Sequence, residues 1–261
     1  MVSQKGAPKY EELIYYFLQA GYHVYMPEHM GHGQSYRLAA DPSLVHIDIW
    51  KRYVRDFLKV CHEIKRAYPE LPLKLFSHSM GGAIGAIAAA WEPTLFHKVI
   101  LSSPMIKPLT GGVPWPLTVL IAHAECVLGK EESYVLGQKP YDGTDTFQTS
   151  AGTSEPKFIR YNDLRKEKQF LQTCAPSYGW LKAYHKNELV FKIPRLEDAP
   201  VPTPYFSGRK RQFRIRPRTS EIRSEKSESA VQLPVNISTC PGRSMRYIVA
   251  GMRRWKYIGI K

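Results

Sequence analysis

The chain has 261 residues, 43% of them apolar, which suits one α/β domain or a domain with a tail. It contains no apolar run of roughly 18 residues, and MVSQKGAPKYEEL at its start lacks an apolar signal core, so neither a spanning helix nor a secretory leader is expected. The formal charge of +14 is uneven: residues 193–261 hold 15 Lys and Arg against 5 Asp and Glu, whereas the first 192 hold 22 against 18. That shift places a boundary near Lys192. The four cysteines, Cys61, Cys126, Cys174 and Cys240, have no paired spacing and read as reduced thiols of a cytoplasmic protein.

Residues 9–20, KYEELIYYFLQA, carry apolar side chains at helical spacing, and Gly21 is a natural stop. YHVYMPE (22–28) alternates as a strand. In the loop that follows, MGHGQSYR, Gly31 and Gly33 allow a tight reversal. Residues 43–67 predict a long amphipathic helix, with Ile47, Trp50, Val54, Phe57, Leu58, Cys61 and Ile64 on one face. A short apolar strand, a turn and a small-residue helix follow in PLKLFSHSMGGAIGAIAAAW (72–91), and KVILSSP (98–104) reads as a second buried strand. This alternation predicts a parallel sheet covered on both sides.

The turn in 72–91 is the stretch with chemistry in it. Ser77-His78-Ser79-Met80-Gly81 matches the G-x-S-x-G nucleophile elbow with Ser in the first Gly position. A serine on so sharp a turn has strained backbone angles, and the residues two before and two after it must be small. Ser77 and Gly81 satisfy that. The turn lifts the Ser79 hydroxyl clear of the sheet, and the Met80 N–H points at a developing oxyanion. The alternative is a serine-rich turn before an ordinary helix; the apolar strand before it and the small-residue helix after it favour the elbow.

These residues carry a resemblance. KYEELIYYFLQAGYHVYMPEHMGHGQS, LFSHSMGG and KVILSSPM, spanning about residues 7–105, resemble an α/β-hydrolase of the lysophospholipase and monoacylglycerol lipase type, the serine aminopeptidase-like group. The resemblance implies hydrolysis of a carboxylic ester, a small lipid substrate, and no metal or cofactor. It makes Ser79 the catalytic nucleophile and the Met80 N–H an oxyanion donor. GAPKY (6–10) looks like the continuation of the family's loop after its third strand, so the family's His-Gly and earlier strands are expected to be missing. In such proteins the GHG-S loop shapes the region near the site, so His32 is expected to be structural, and His78 a packing residue.

Residues 105–192 resemble the family's helical lid. PWPLTVLIAHAECVLG (114–129) predicts an apolar helix and LRKEKQFLQTCAPSYGWLKAYHKNELVF (164–191) one or two more, separated by a polar loop around YDGTDTFQTSAGTSEPKF. Trp115, Leu117, Leu120 and Ile121 would either cover an acyl chain beside Ser79 or bury the lid helix against the core. A transient contact with a membrane surface is expected; a nucleic-acid partner is not.

A triad of this fold needs an acid and then a histidine after the serine in chain order. After Ser79 come only His97, His123 and His185, none of them after a candidate acid strand, and Asp198 is the sole aspartate past the lid. The acid and the histidine therefore remain unassigned. Two explanations compete for the tail. Arg209, Lys210, Arg211, Arg214, Arg216 and Arg218, interleaved with Phe206 and Phe213, could form a basic binding segment for nucleic acid or anionic lipid beside a vestigial elbow. The favoured one is a shifted reading frame. The codons allowed for CPGRSMRYIVAGMRRWKYI (240–258), read from each third base, permit PGKKHEIYRCGNETLEIYW, which resembles the family's His-Glu turn and final helix. YFSGRKRQ (205–212), read from the second base, permits FQAEKD, which resembles the strand and acid. An uninterrupted hydrolase frame in the gene would establish this; a clean gene encoding the tail as given would sink it. The expected organisation is a partial α/β-hydrolase core (1–104), a lid (105–192) and a basic tail without regular structure (193–261), forming an incomplete parallel sheet with impaired activity.

Overall fold

The computed structural model describes residues 7–150, 152–191, 205–206 and 246–249. Asp198 and the basic run from Arg209 to Arg218 fall outside the described residues, as does Cys240. The main sheet is parallel throughout and built from β1 (Tyr22–Tyr25), β3 (Leu73–His78), β4 (Lys98–Ser102), β6 (Tyr205–Phe206) and β7 (Arg246–Val249), in the order β1-β7-β3-β4-β6. A second, two-stranded parallel pair joins β2 (Leu44–Val45) to β5 (Ala175–Pro176). The helices are α1 (Glu11–Gln19), α2 (Lys51–Ala67), α3 (Met80–Trp91), α4 (Trp115–Val127), α5 (Glu155–Glu167) and α6 (Tyr178–Phe191).

The core follows from periodicity. Along β3, Leu73, Leu75 and Ser77 are buried and alternate with half-buried neighbours, as a strand with two unequal faces requires. Helix α2 buries Tyr53, Val54, Phe57, Leu58, Cys61 and Ile64. Helix α3 is almost wholly buried, and its small residues explain how it fits. A Cβ on Gly82 would stand 2.8 Å from the Pro104 Cα, and one on Gly85 2.5 Å from the Ser77 Oγ. Side chains there would force α3 off the sheet.

Trp50 ties the start of α2 to α6. It packs edge-on against Tyr53, Trp180 and Tyr184, with ring centroids 4.9–5.3 Å apart. The single proton of the Tyr184 hydroxyl is shared between the carbonyls of Ile106 (2.5 Å) and Met105 (3.0 Å), pinning α6 to the segment that leaves β4.

Three elements differ from the sequence expectation. The long helix begins at Lys51 rather than at 43, because Leu44 and Val45 are drawn into pairing with β5, both fully or nearly fully buried. Helix α5 begins inside the stretch read as polar loop; it buries only Asn162 and is held by Lys157–Glu12, Arg160–Glu11 and Arg165–Asp145 ion pairs. Within residues 193–261, read as lacking regular structure, β6 and β7 join the sheet.

Candidate active site

The elbow is built by hydrogen bonds from both flanks. Ser79 takes φ 55° and ψ −122°, in the positive-φ region that non-glycine residues avoid. Its N–H donates to the Ser102 carbonyl (3.1 Å), and its carbonyl accepts from the N–H groups of Met105 (2.9 Å) and Ala83 (3.2 Å). The strain is thus over-determined by β4 on one side and α3 on the other. Among the described residues no side-chain cap bond is made at the start of α3, so the N–H groups ahead of Ala83, that of Met80 among them, are placed to meet an anionic oxygen. The Ser79 side chain is half-buried, and its hydroxyl has no partner among the described residues.

The bonds of the histidine rings go to partners other than that hydroxyl. The ring of His78, next in the chain, turns to the Ser102 Oγ (3.1 Å). His97 is exposed ahead of β4, its N–H donating to the Leu73 carbonyl (2.7 Å). His123 and His185 face each other across α4 and α6, 5.5 Å between centroids, and the His123 Nδ1–H donates to the Val119 carbonyl (2.9 Å). His46 is buried against the Ser177 hydroxyl (2.8 Å), joining β2 to the start of α6. His32 donates from Nδ1 to the Met30 carbonyl (3.0 Å).

His29 is the imidazole that sequence reading passed over. Its Nε2 lies 3.8 Å from the position a Cβ would take on Gly81, two residues beyond Ser79. It also packs edge-on against Tyr53 and His32. Burial, and secondarily the neighbouring His32, push its pKa down to about 3. Burial likewise lowers His32 to about 4, against the opposing effect of its bond to Met30. Both rings are neutral at pH 7, and groups so far below the working pH are weak proton acceptors. The clue in the sequence was position: His29 opens the HMGHG loop four residues past the end of β1.

The lid stripe divides. Trp115 and Ile121 are half-buried and pack on the core, whereas Leu117 and Leu120 are 46% and 65% exposed. The buried face of α4 is Thr118, Ala122 and Cys126, roughly opposite on the helix, so the four apolar residues do not act as one surface. Cys61, Cys126 and Cys174 are free thiols, and burial raises the pKa of each. Among the described residues no group of three or more His, Cys, Asp or Glu side chains could hold a metal ion, and no helix is long and apolar enough to cross a membrane.

A parallel sheet with a serine raised on a strained strand-to-helix turn defines an α/β-hydrolase fold. The chain belongs to the serine aminopeptidase S33 family, whose model matches residues 5–160. It is 38% identical over 98 residues to the monoglyceride lipase of Rattus norvegicus, covering 38% of this chain and 31% of that one. It is 24% identical over 174 residues to lysophospholipase L2 of Escherichia coli K12, covering 67% and 51%. The chain thus spans about a third of the length of the monoglyceride lipases it matches. Among solved structures it is similar to the monoacylglycerol lipase of Paleococcus ferrophilus, with a TM-score of 0.48, 20% identity, and coverage of 76% of this chain and 67% of that one.

Proposed function

We propose that the elbow belongs to a serine hydrolase of lipid carboxylic esters, with a monoacylglycerol or a lysophospholipid as substrate. The observation that carries this reading is the positive-φ Ser79 at the start of an uncapped, small-residue helix. The Ser79 Oγ attacks the ester carbonyl, and the Met80 N–H stabilises the oxyanion. The names of the similar lipases and lysophospholipases support the substrate class. The exposed stripe of Leu117, Leu120, Val127 and Leu128 on and just past α4 supports a transient contact with a membrane surface, where such substrates reside.

This chain is a slow form of that enzyme. No imidazole among the described residues bonds to the Ser79 hydroxyl, and His29, which packs beside Gly81 of the elbow, is a poor base. Loss of a triad histidine costs on the order of 10⁶ in kcat in a comparable triad enzyme. A fluorophosphonate probe is expected to label the protein slowly, and Ser79→Ala to abolish the labelling, with monoacylglycerol turnover far below ~1 s⁻¹. Labelling that survives Ser79→Ala would remove the assignment of the nucleophile. Turnover at an ordinary enzymatic rate would remove the impairment.

A further inference from the structure

A cavity of about 340 Å³ opens beside the first half of α2, lined by Met30, Ile49, Arg52, Arg55, Asp56 and Lys59. Its volume is in the range that holds a small ligand. Its floor is apolar, with Met30 5% exposed, and its walls carry three cations against one carboxylate.

That arrangement sets like charges close together on an exposed face of the helix. Arg55 stands four residues from both Lys51 and Lys59 and three from Arg52, spacings at which like charges on a helix repel. Neither Arg55 nor Lys59 forms an ion pair among the described residues. Arg52 is paired to Asp48 (2.6 Å), but across an interface open to water. Asp56, four residues from Arg52 and three from Lys59, offsets part of that charge and leaves an excess of positive charge along the wall. The first turn of α2 also has no acidic residue. An anion would relieve the remaining repulsion and meet the guanidinium fork of Arg55 and the ammonium of Lys59, the two cations with no ion pair among the described residues.

We propose that this cavity is a binding site for a phosphate group, borne by a soluble phosphate or by the headgroup of an anionic lipid. The site does not use Ser79 and is independent of the ester-hydrolysis reading.

The test uses the full chain, titrated calorimetrically with inorganic phosphate and separately bound to phosphatidylcholine vesicles containing about a fifth phosphatidic acid. The chain is basic overall, so Arg55→Gln/Lys59→Gln must be compared with a variant that loses the same charge elsewhere, Arg209→Gln/Lys210→Gln. Both alter only polar groups, and far-UV circular dichroism checks that each remains folded. Saturable one-to-one binding is expected, weakened about ten-fold or more by the cavity pair and not by the control. A difference between the pairs confined to free phosphate assigns the site to soluble phosphate; a difference in the vesicle arm assigns it to the lipid headgroup. Equal binding by the two pairs in both arms would overturn the proposal.

Discussion

His29 and His32 are half-buried, their rings 6.4 Å apart behind the elbow, and their desolvation has a measurable consequence. Both titrate far lower when folded, at about 3 and about 4, than the ordinary value of about 6.5. Between those limits the unfolded chain binds the protons and the folded chain does not. Stability is therefore intact above about pH 6.5 and is lost as pH falls toward 4. Each ring contributes about 1.4 kcal/mol per pH unit in that window. Urea titrations from pH 7 to 4.5 are expected to give a steeper loss of stability for wild type than for His32→Gln, by about that amount per pH unit. The slope is the readout, because the substitution also removes the bond to the Met30 carbonyl and lowers stability at every pH. Identical slopes would mean that His32 is protonated, and so accessible, in the folded state.

Helix α4 shows how an element can be legible in position yet ambiguous in orientation. Its span was readable from the apolar run, but a run apolar on all sides does not say which side is covered. Packing against α6 settles that: Thr118, Ala122 and Cys126 turn inward, and Leu117, Leu120, Val127 and Leu128 are left to solvent or its substitute. Replacing Leu117 and Leu120 by Asp is expected to weaken binding to zwitterionic phosphatidylcholine vesicles at least ten-fold in a flotation assay. Exposed leucines contribute little to the fold, so thermal stability should change by no more than about 0.5 kcal/mol. Unchanged flotation would separate α4 from any membrane contact. By contrast, α3 was readable in full, since a strained serine followed by small residues has few other structural uses. The start of α5 was not readable, because the helix buries only Asn162 and so leaves no periodic apolar signal in the sequence.

The sheet as a whole is closed by a segment from the far end of the chain. Strands β1 and β3 are not paired with each other; β7 lies between them and pairs with both. Tyr22 to Tyr25 are in register with Arg246 to Val249, and Leu73 to Leu75 with Tyr247 to Val249. Alternation predicted a parallel sheet from the first hundred residues, but not this insertion, since a pairing across some 220 residues leaves no local trace. What was visible in RYIV was three residues, Tyr, Ile and Val, that favour strands, set in a region whose charge and composition argued against order. If β7 fills a gap, breaking it should cost β1 all its strand pairing and leave β3 paired only with β4. Proline at a central position removes a ladder donor and fits poorly between two neighbours. Ile248, in register with both Val24 and Lys74, is the position to test. Hydrogen exchange on Ile248→Pro is expected to show lost protection at those amides of residues 22–25 and 73–75 whose N–H groups point toward β7. The β3–β4 pairs from Phe76↔Ile100 to His78↔Ser102 lie beyond the reach of β7 and should keep their protection. Unaltered exchange in β1 would mean that it is held by something other than β7, and the sheet order would have to be redrawn around a direct β1–β3 contact.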